Sequence, residues 1–460
     1  MIEGIDHVVN FALQAYIEEY IVDGFADFFA APEDEVARLY EERVKGYLGV
    51  AEVDSSHVRK LHRLGYLPLE FKQVPEGTMV PLKVPSFTIE NTHPDFAWLT
   101  NYIETSLSAS VWHASSIATL AAYDRRLLHK WADKTGCDRA GVAYQWHDFS
   151  FRGMQSLDAA AASGAGHLIS FLGSDSLGAI EFINNNYPGD NGQLISSIPA
   201  TEHAVMSSGS AYESEEATYK RILTENYPEG LVSIVSDTFS IWNVVEPGGI
   251  LDNLRDVVLG RDGKLVVRPD SGNPVDIVCG TVHEFGAGKA SDEIGVIELL
   301  WQVFGGTVNE KGFKVLDSHI GVIYGDGITP ARAEAMFERL AAKGFAASNL
   351  VLGVGSYHYT QTRDSVGGSA VKMTQIVVED RGEINILKDP ITAKGKKSAT
   401  GRLAVFKNDD GELYLVEKAT PEQEAASEIQ TVWKDGQWVR RQSFADIRAT
   451  LKADTDRLFG

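Results

Sequence analysis

Lys264-Leu265-Val266-Val267-Arg268-Pro269-Asp270-Ser271-Gly272-Asn273-Pro274-Val275-Asp276 is an apolar strand that breaks abruptly into a polar turn. Leu265, Val266 and Val267 form the short β-branched run of a strand buried on both faces in a parallel sheet. Pro269 and Pro274 cannot donate to a ladder, so the strand ends at about Arg268. Ligands of α/β proteins collect at the carboxyl ends of such strands. Arg268 is a permanent cation suited to a flat polar or anionic group. Gly272 lets backbone N–H groups approach an anion, and Asp270 can accept from sugar hydroxyls or hold a water-bound Mg²⁺. A phosphate joined to a sugar fits this set. Taken alone, the stretch also reads as a capped turn in which Asp270 and Asn273 bond their own backbone.

The surrounding chain repeats the pattern. Between about Val142 and Gly355, short apolar runs end in polar residues: Gly141–Tyr144, His167–Phe171, Ser233–Ser236, Leu265–Val267, His319–Ile323 and Asn349–Leu352. Their tails carry His147-Asp148-Phe149, Gly173-Ser174-Asp175, Ser236-Asp237-Thr238, Gly325-Asp326-Gly327 and Gly353-Val354-Gly355-Ser356. Strand-then-helix repetition over this length predicts a parallel barrel or a doubly wound sheet, and a barrel gathers all these tails on one face.

The flanks differ. Residues 1–60 read as helical, and the chain is expected to open directly into a helix with nothing ahead to cover its apolar face. From Leu67 to Thr92, Leu69–Val74 and Ser86–Glu90 alternate as a small antiparallel sheet. Residues 95–135 return to helix, and from about Lys372 short strands and turns resume, closing on the strand Thr431-Val432-Trp433 and a polar helix. The expected organisation is 1–141 as the first part of a smaller α+β domain, 142–360 as an irregular α/β barrel, and 361–460 as the part that completes the smaller domain. The basic run Lys394, Lys396, Lys397 reads as a solvated loop.

Composition excludes several function classes. A net charge of −22 repels nucleic acid and anionic membranes, so an anionic substrate must meet a local basic pocket. With only Cys137 and Cys279, no disulfide framework is expected and the reducing cytoplasm is the simplest home. No signal peptide is read at the start, and no apolar stretch reaches membrane-spanning length.

Taken together, His147-Asp148-Phe149-Ser150-Phe151-Arg152-Gly153, Pro199-Ala200-Thr201-Glu202-His203, Ser236-Asp237-Thr238, Arg268 to Pro274, Gly325-Asp326-Gly327, Thr362-Arg363-Asp364 and Lys388-Asp389-Pro390 resemble the nicotinamide phosphoribosyltransferase family in order and separation. The resemblance implies a type II phosphoribosyltransferase fold and a homodimer with active sites shared between subunits. The implied reaction joins nicotinamide to 5-phosphoribosyl 1-diphosphate, with Mg²⁺ carried by the diphosphate. Expelling diphosphate from the anomeric carbon needs positioning and charge compensation more than a covalent nucleophile.

By the same resemblance, Phe149 stacks the pyridine ring, Arg268 contacts the ring or its amide, and Asp175 accepts from the carboxamide, with Ser197 and Ser233 also on the substrate. Asp270 and Asp326 take the ribose hydroxyls, beside Gly325. Arg152, Gly355, Ser356, Arg363, Ser369 and Lys372 receive phosphates, and Lys388 and Arg402 contact the same anions or ATP. His203 is implied to be phosphorylated by ATP, with Asp237 polarising its ring. His203, Asp237 and Asp270 form the expected catalytic group.

Three features depart from the family. Its opening Asp-x-Tyr-Lys segment, whose tyrosine closes the far face of the ring, is not matched, so either a shortened chain or a divergent member is expected. Ser356 stands where the family pairs two glycines, and Phe239 and Ser240 replace a tyrosine and an aspartate. Two other readings remain: a nicotinate phosphoribosyltransferase, which an ionised Asp175 opposes, and a non-catalytic nucleotide-binding dimer.

Overall fold

The computed structural model describes residues 2–392 and 397–460. Lys394 and Lys396 of the basic run lie outside them. The chain forms two compact units, one of residues 121–180 and 193–360, the other of residues 1–120, 181–192 and 361–460. The expected boundaries stood at 141/142 and 360/361. The helix Leu99–Thr135 has neither proline nor glycine to stop it before Gly136, where φ is +73°.

The unit of residues 121–180 and 193–360 is built on five parallel strands: β1 (Trp146–Asp148), β2 (Glu229–Val235), β3 (Asp262–Arg268), β4 (Ile320–Tyr324) and β5 (Leu350–Val354). They lie side by side in the order β1-β5-β4-β3-β2. Buried Val232, Ile234, Leu265, Val267, Val322, Leu352 and Val354 explain why these strands read as continuous apolar runs. The sheet curls, and hydrogen bonds carry it round to its own start. Asp148 N donates to Gly173 O at 3.1 Å and Ser196 N to Leu172 O at 2.7 Å. A few residues on, Ser233 N of β2 donates to Pro199 O at 2.8 Å and Thr201 N returns a bond to Ser233 O at 2.9 Å. The segment 196–201 therefore ties the two edges together, and the result is an irregular α/β barrel.

Two apolar runs expected as strands are not. Gly141–Tyr144 is helical, with Val142–Gln145 as a single turn, and the strand begins only at Trp146. In His167–Phe171, His167 and Leu168 end the helix Leu157–Leu168 and the rest turns away from it. Short apolar runs do not separate buried helix from buried strand. In this one the His167 ring is held by Tyr359 Oη at 2.8 Å and Gly173 O at 2.9 Å.

The other unit holds a four-stranded antiparallel sheet of Gln437–Trp438, Gln430–Lys434, Leu69–Gln73 and Phe87–Asn91. Tyr16, Ile17, Leu69, Phe71, Leu99 and Trp433 pack its core. The chain does not open into a helix: His7–Val9 is a strand paired antiparallel with Met79–Pro81. Three residues are too few to show alternation, and their partner lies far along the chain. After this strand, Ala12 takes a left-handed conformation at φ +76°, strained for a residue with a Cβ. Buried Glu76 holds it there, accepting from Ala12 N at 3.2 Å, Gln14 N at 2.7 Å and Tyr187 Oη at 2.9 Å. Burial pushes the Glu76 carboxyl up against the pull of these donors.

Glu76→Ala strips three donors of their acceptor at once. It is expected to destabilise the protein by about 3 kcal/mol, measured as a shift in the urea midpoint. A loss under about 1 kcal/mol would show that Glu76 does not anchor this turn.

Candidate active site

At the end of β3 both readings of the polar turn are present. Asn273 caps the helix Pro274–Cys279, its side chain accepting from Val275 N at 3.0 Å, and Gly272 turns the backbone at φ +93°. Tyr324 Oη of β4 donates to Gly272 O at 3.0 Å and pins the turn from the neighbouring strand. Asp270 does not cap. Its backbone N–H donates to Asp237 Oδ2 at 2.9 Å, and the Ser271 hydroxyl donates to the same oxygen. The tails of β2 and β3 are thereby joined through one carboxylate.

Asp237 is nearly enclosed, and its Oδ1 is buried without a hydrogen-bond partner among the described residues. It faces His203 Nε2 at 3.8 Å, and Asp270 Oδ2 stands at the same distance from that nitrogen. His203 begins the helix His203–Tyr212, is about half exposed, and has Nδ1 3.2 Å from Thr238 Oγ1. Burial pushes the Asp270 carboxyl up; Arg268 and His203 oppose this, while the charges of Asp237 and Asp326 add to it. A cation would relieve that crowding of negative charge.

Next to this cluster lies an aromatic floor. A Cβ on Gly353 would fall 2.3 Å from the Phe149 ring, and one on Gly325 would fall 3.0 Å from the ring and 3.3 Å from Asp270 Oδ1. Glycine at 353, in β5, is what lets Phe149 lie against the sheet, and glycine at 325, just past β4, leaves the ring close room. The His147 ring sits 5.0 Å from that of Phe149. From there His147 Nε2 meets Asp175 Oδ1 at 3.0 Å, and Ser197 donates to the same oxygen. Asp175, Ser197, Ser174, Leu177 and Ile195 line a cavity of about 340 Å³. Burial raises the Asp175 carboxyl, but the bonds from His147 and Ser197 and the charge of Arg268 outweigh it and hold the group below its ordinary value. Arg268 is itself buried, with Nη2 3.6 Å from Glu202 Oε2 and Nε unpartnered among the described residues.

Phe149, Asp175, Ser197, His203, Asp237, Arg268, Asp270 and Gly325 are therefore brought together by short steps from one strand end to the next. Asp326 follows Gly325 and is exposed. Ser233 is buried in β2 with its hydroxyl unpartnered among the described residues. Arg152 is exposed and has no ion-pair partner among the described residues, while the neighbouring Gly153 abuts Ser356, whose Oγ a Cβ would meet at 2.0 Å. Gly355 precedes the single turn Ser356–Tyr359.

The remaining candidates belong to the other unit. Arg363 pairs with Asp364 at 3.3 Å, Ser369 N donates to Arg363 O, and Lys372 Nζ donates to Val371 O, all in the loop 361–374. Lys388 is tied through its backbone to Ser398. Arg402 is taken by Glu383 and Glu424, so its charge is already neutralised.

His147, Ser271, Thr238 and Tyr324 belong to the site by geometry, although motif reading gave them no role. For His147 the signal was available: it lies two residues before Phe149, where an extended chain puts both on one side.

The family model described as the nicotinate phosphoribosyltransferase (NAPRTase) family matches residues 144–437. A nicotinamide phosphoribosyltransferase of Acinetobacter baylyi is 43% identical over 456 residues, covering 97% of this chain and 88% of that protein. One of Xanthomonas campestris pv. campestris is 35% identical over 403 residues, covering 86% and 80%. Two solved structures share the fold. Human nicotinic acid phosphoribosyltransferase superposes with a TM-score of 0.51 at 15% identity, covering 99% of this chain and 87% of that one. Nicotinate-nucleotide pyrophosphorylase from Pyrococcus furiosus superposes with a TM-score of 0.52 at 18% identity, covering 85% and 81%.

Proposed function

The chain belongs to the nicotinate phosphoribosyltransferase family, and from that premise we propose that it joins nicotinamide to 5-phosphoribosyl 1-diphosphate, releasing nicotinamide mononucleotide and diphosphate. That it is a phosphoribosyltransferase follows from its relatives; the choice of base is our reading. The observation that carries it is Asp175, a carboxylate held ionised at the wall of the cavity. An ionised carboxylate accepts from a carboxamide N–H and repels the carboxylate of nicotinate.

Phe149 supplies a flat face for the pyridine ring in this reading, Arg268 polarises it, and Asp270 and Asp326 hold the ribose hydroxyls. Charge building at the anomeric carbon is stabilised by these fixed carboxylates rather than by a covalent bond. When bound with the diphosphate, Mg²⁺ would supply charge neutralisation for the leaving group. Among the described residues no three His, Cys, Asp or Glu side chains are grouped to hold a metal ion by themselves, so the diphosphate oxygens would supply most of its ligands, with the charge of Asp270 nearby.

We further assign His203 as the acceptor of a phosphoryl group from ATP. Asp237 and Asp270 both face Nε2, so Nδ1 is the nucleophile. Its lone pair attacks the terminal phosphorus, an N–P bond forms, and ADP leaves with the electrons of the broken P–O bond. Arg363, Ser369, Lys372 and Lys388 are assigned to the phosphates of a neighbouring subunit's site. Arg402, already paired twice, is not needed for that role. No described helix is long and apolar enough to cross a membrane.

Three experiments test this. Asp175→Asn is expected to raise nicotinate turnover relative to nicotinamide by about tenfold or more; a wild-type protein that prefers nicotinate would overturn the base assignment. In His203→Ala, basal synthesis should persist while stimulation by ATP disappears, and stimulation that survives would remove His203 from the ATP step. Finally, Asp270→Ala and Arg363→Ala, each inactive alone, should recover about a quarter of wild-type activity when co-expressed. No recovery would argue against sites shared between subunits.

A further inference from the structure

Asp175 does not meet the cavity alone. Its Oδ1 is fully occupied by His147 Nε2 and Ser197, which leaves Oδ2 for a ligand. The His147 side chain is 12% exposed against 48% for Asp175, so the imidazole stands behind the carboxylate rather than beside the ligand. Its other edge is confined: a Cβ on Gly173 would lie 2.9 Å from Nδ1.

The charged and titratable groups around His147 are few. From its own strand comes Asp148, buried, with its oxygens taken by Ser150 N and the Ser176 hydroxyl. The helix that follows, Leu157–Leu168, contributes His167, whose imidazole burial pushes down. From β3, Arg268 acts on the pair through Asp175. The neighbouring strand β5 faces it only with Gly353. Among the described residues, Asp175 is thus the one charge in direct contact with this ring.

We propose that His147 sets the selectivity of Asp175 between the amide and the acid, and makes that selectivity depend on pH. With a neutral imidazole, Nε2–H donates to a carboxylate that keeps its full negative charge, and nicotinate is repelled. With an imidazolium, the pair approaches neutrality and the repulsion falls. An imidazole changes charge between pH 5 and 8, whereas nicotinate stays a carboxylate throughout. By linkage, nicotinate binding must then draw a proton onto the enzyme, and nicotinamide binding must not.

This inference rests on the reading of Asp175 as the group that meets the base. It is tested by the ratio of the nicotinate Ki to the nicotinamide KM from pH 5.5 to 8.5. Titrations common to both bases, at His203 or on the phosphates, cancel in that ratio. In the wild type it is expected to fall about tenfold or more toward acid. In His147→Gln, whose amide keeps the donor without the charge, it should stay flat at the wild type's alkaline value.

A flat wild-type ratio, or an unchanged pH profile in His147→Gln, overturns the role of His147. Should that variant fail to fold, calorimetry of nicotinate binding to the wild type at pH 6.5 in buffers of different ionisation enthalpy decides: net proton uptake supports the proposal and zero uptake sinks it. Asp175→Asn separates the two failures. If the ratio is the same in Asp175→Asn as in the wild type, the reading of Asp175 itself falls; if it collapses there while His147→Gln keeps the wild-type profile, only the inference about His147 is lost.

Discussion

The strap of residues 196–201 is the constraint on which the site depends. A curled sheet of five parallel strands has two open edges, and each presents unpaired backbone groups. Here one short extended segment bonds to Leu172 and Ser174 at one end and to Ser233 of β2 at the other. Closure turns a row of strand ends into a ring. Asp148, Ser174, Asp237, Arg268, Gly325 and Gly355 then lie at its rim although they are scattered along more than two hundred residues. The strap also delivers two site residues directly, Ser197 at its start and His203 just past its end.

Electrostatics within that ring are arranged in opposition to the rest of the molecule. A chain with a net charge of −22 gives an anionic substrate no long-range attraction, so discrimination falls to contacts of short range. At one side the bonds from His147 and Ser197, with a smaller contribution from the buried Arg268, outweigh burial and lower Asp175. At the other, Asp270 is pushed upward by burial and by two further carboxylates. Two aspartates at similar strand ends are thus driven in opposite directions by their surroundings. One becomes a fixed charge, the other a group ready to share its negative charge with a cation or a hydroxyl.

Much of this was legible before any coordinates. β2, β3, β4 and β5 carry β-branched or apolar runs long enough to be read, and their polar tails point to a single rim because parallel strands end on one face. β1 was misplaced because its apolar neighbour Val142–Gln145 is helical, and three residues of strand show no period. The strand His7–Val9 failed for the same reason. Neither Glu76 beneath Ala12 nor Arg402 between Glu383 and Glu424 could be inferred, since both depend on partners far apart in the chain. A basic residue near a family motif looks the same in sequence whether it awaits an anion or is already neutralised.

That distinction bears on how the site divides its labour. Arg268 and Arg402 are both buried or partly buried guanidinium groups, each with an Nε unpartnered among the described residues, but they differ in their ion pairs: Glu202, the partner of Arg268, is 3.6 Å away and mostly exposed. Arg402 is held by two carboxylates on closer terms. Removing a partner from a doubly paired buried cation leaves stranded charge, so such a group is kept for architecture. A cation with a loose partner can exchange it for a ligand at little loss, because the displaced Glu202 returns to water. By this physical criterion the charge better placed to exchange its partner for a ligand is the one at the end of β3, where the polar turn begins.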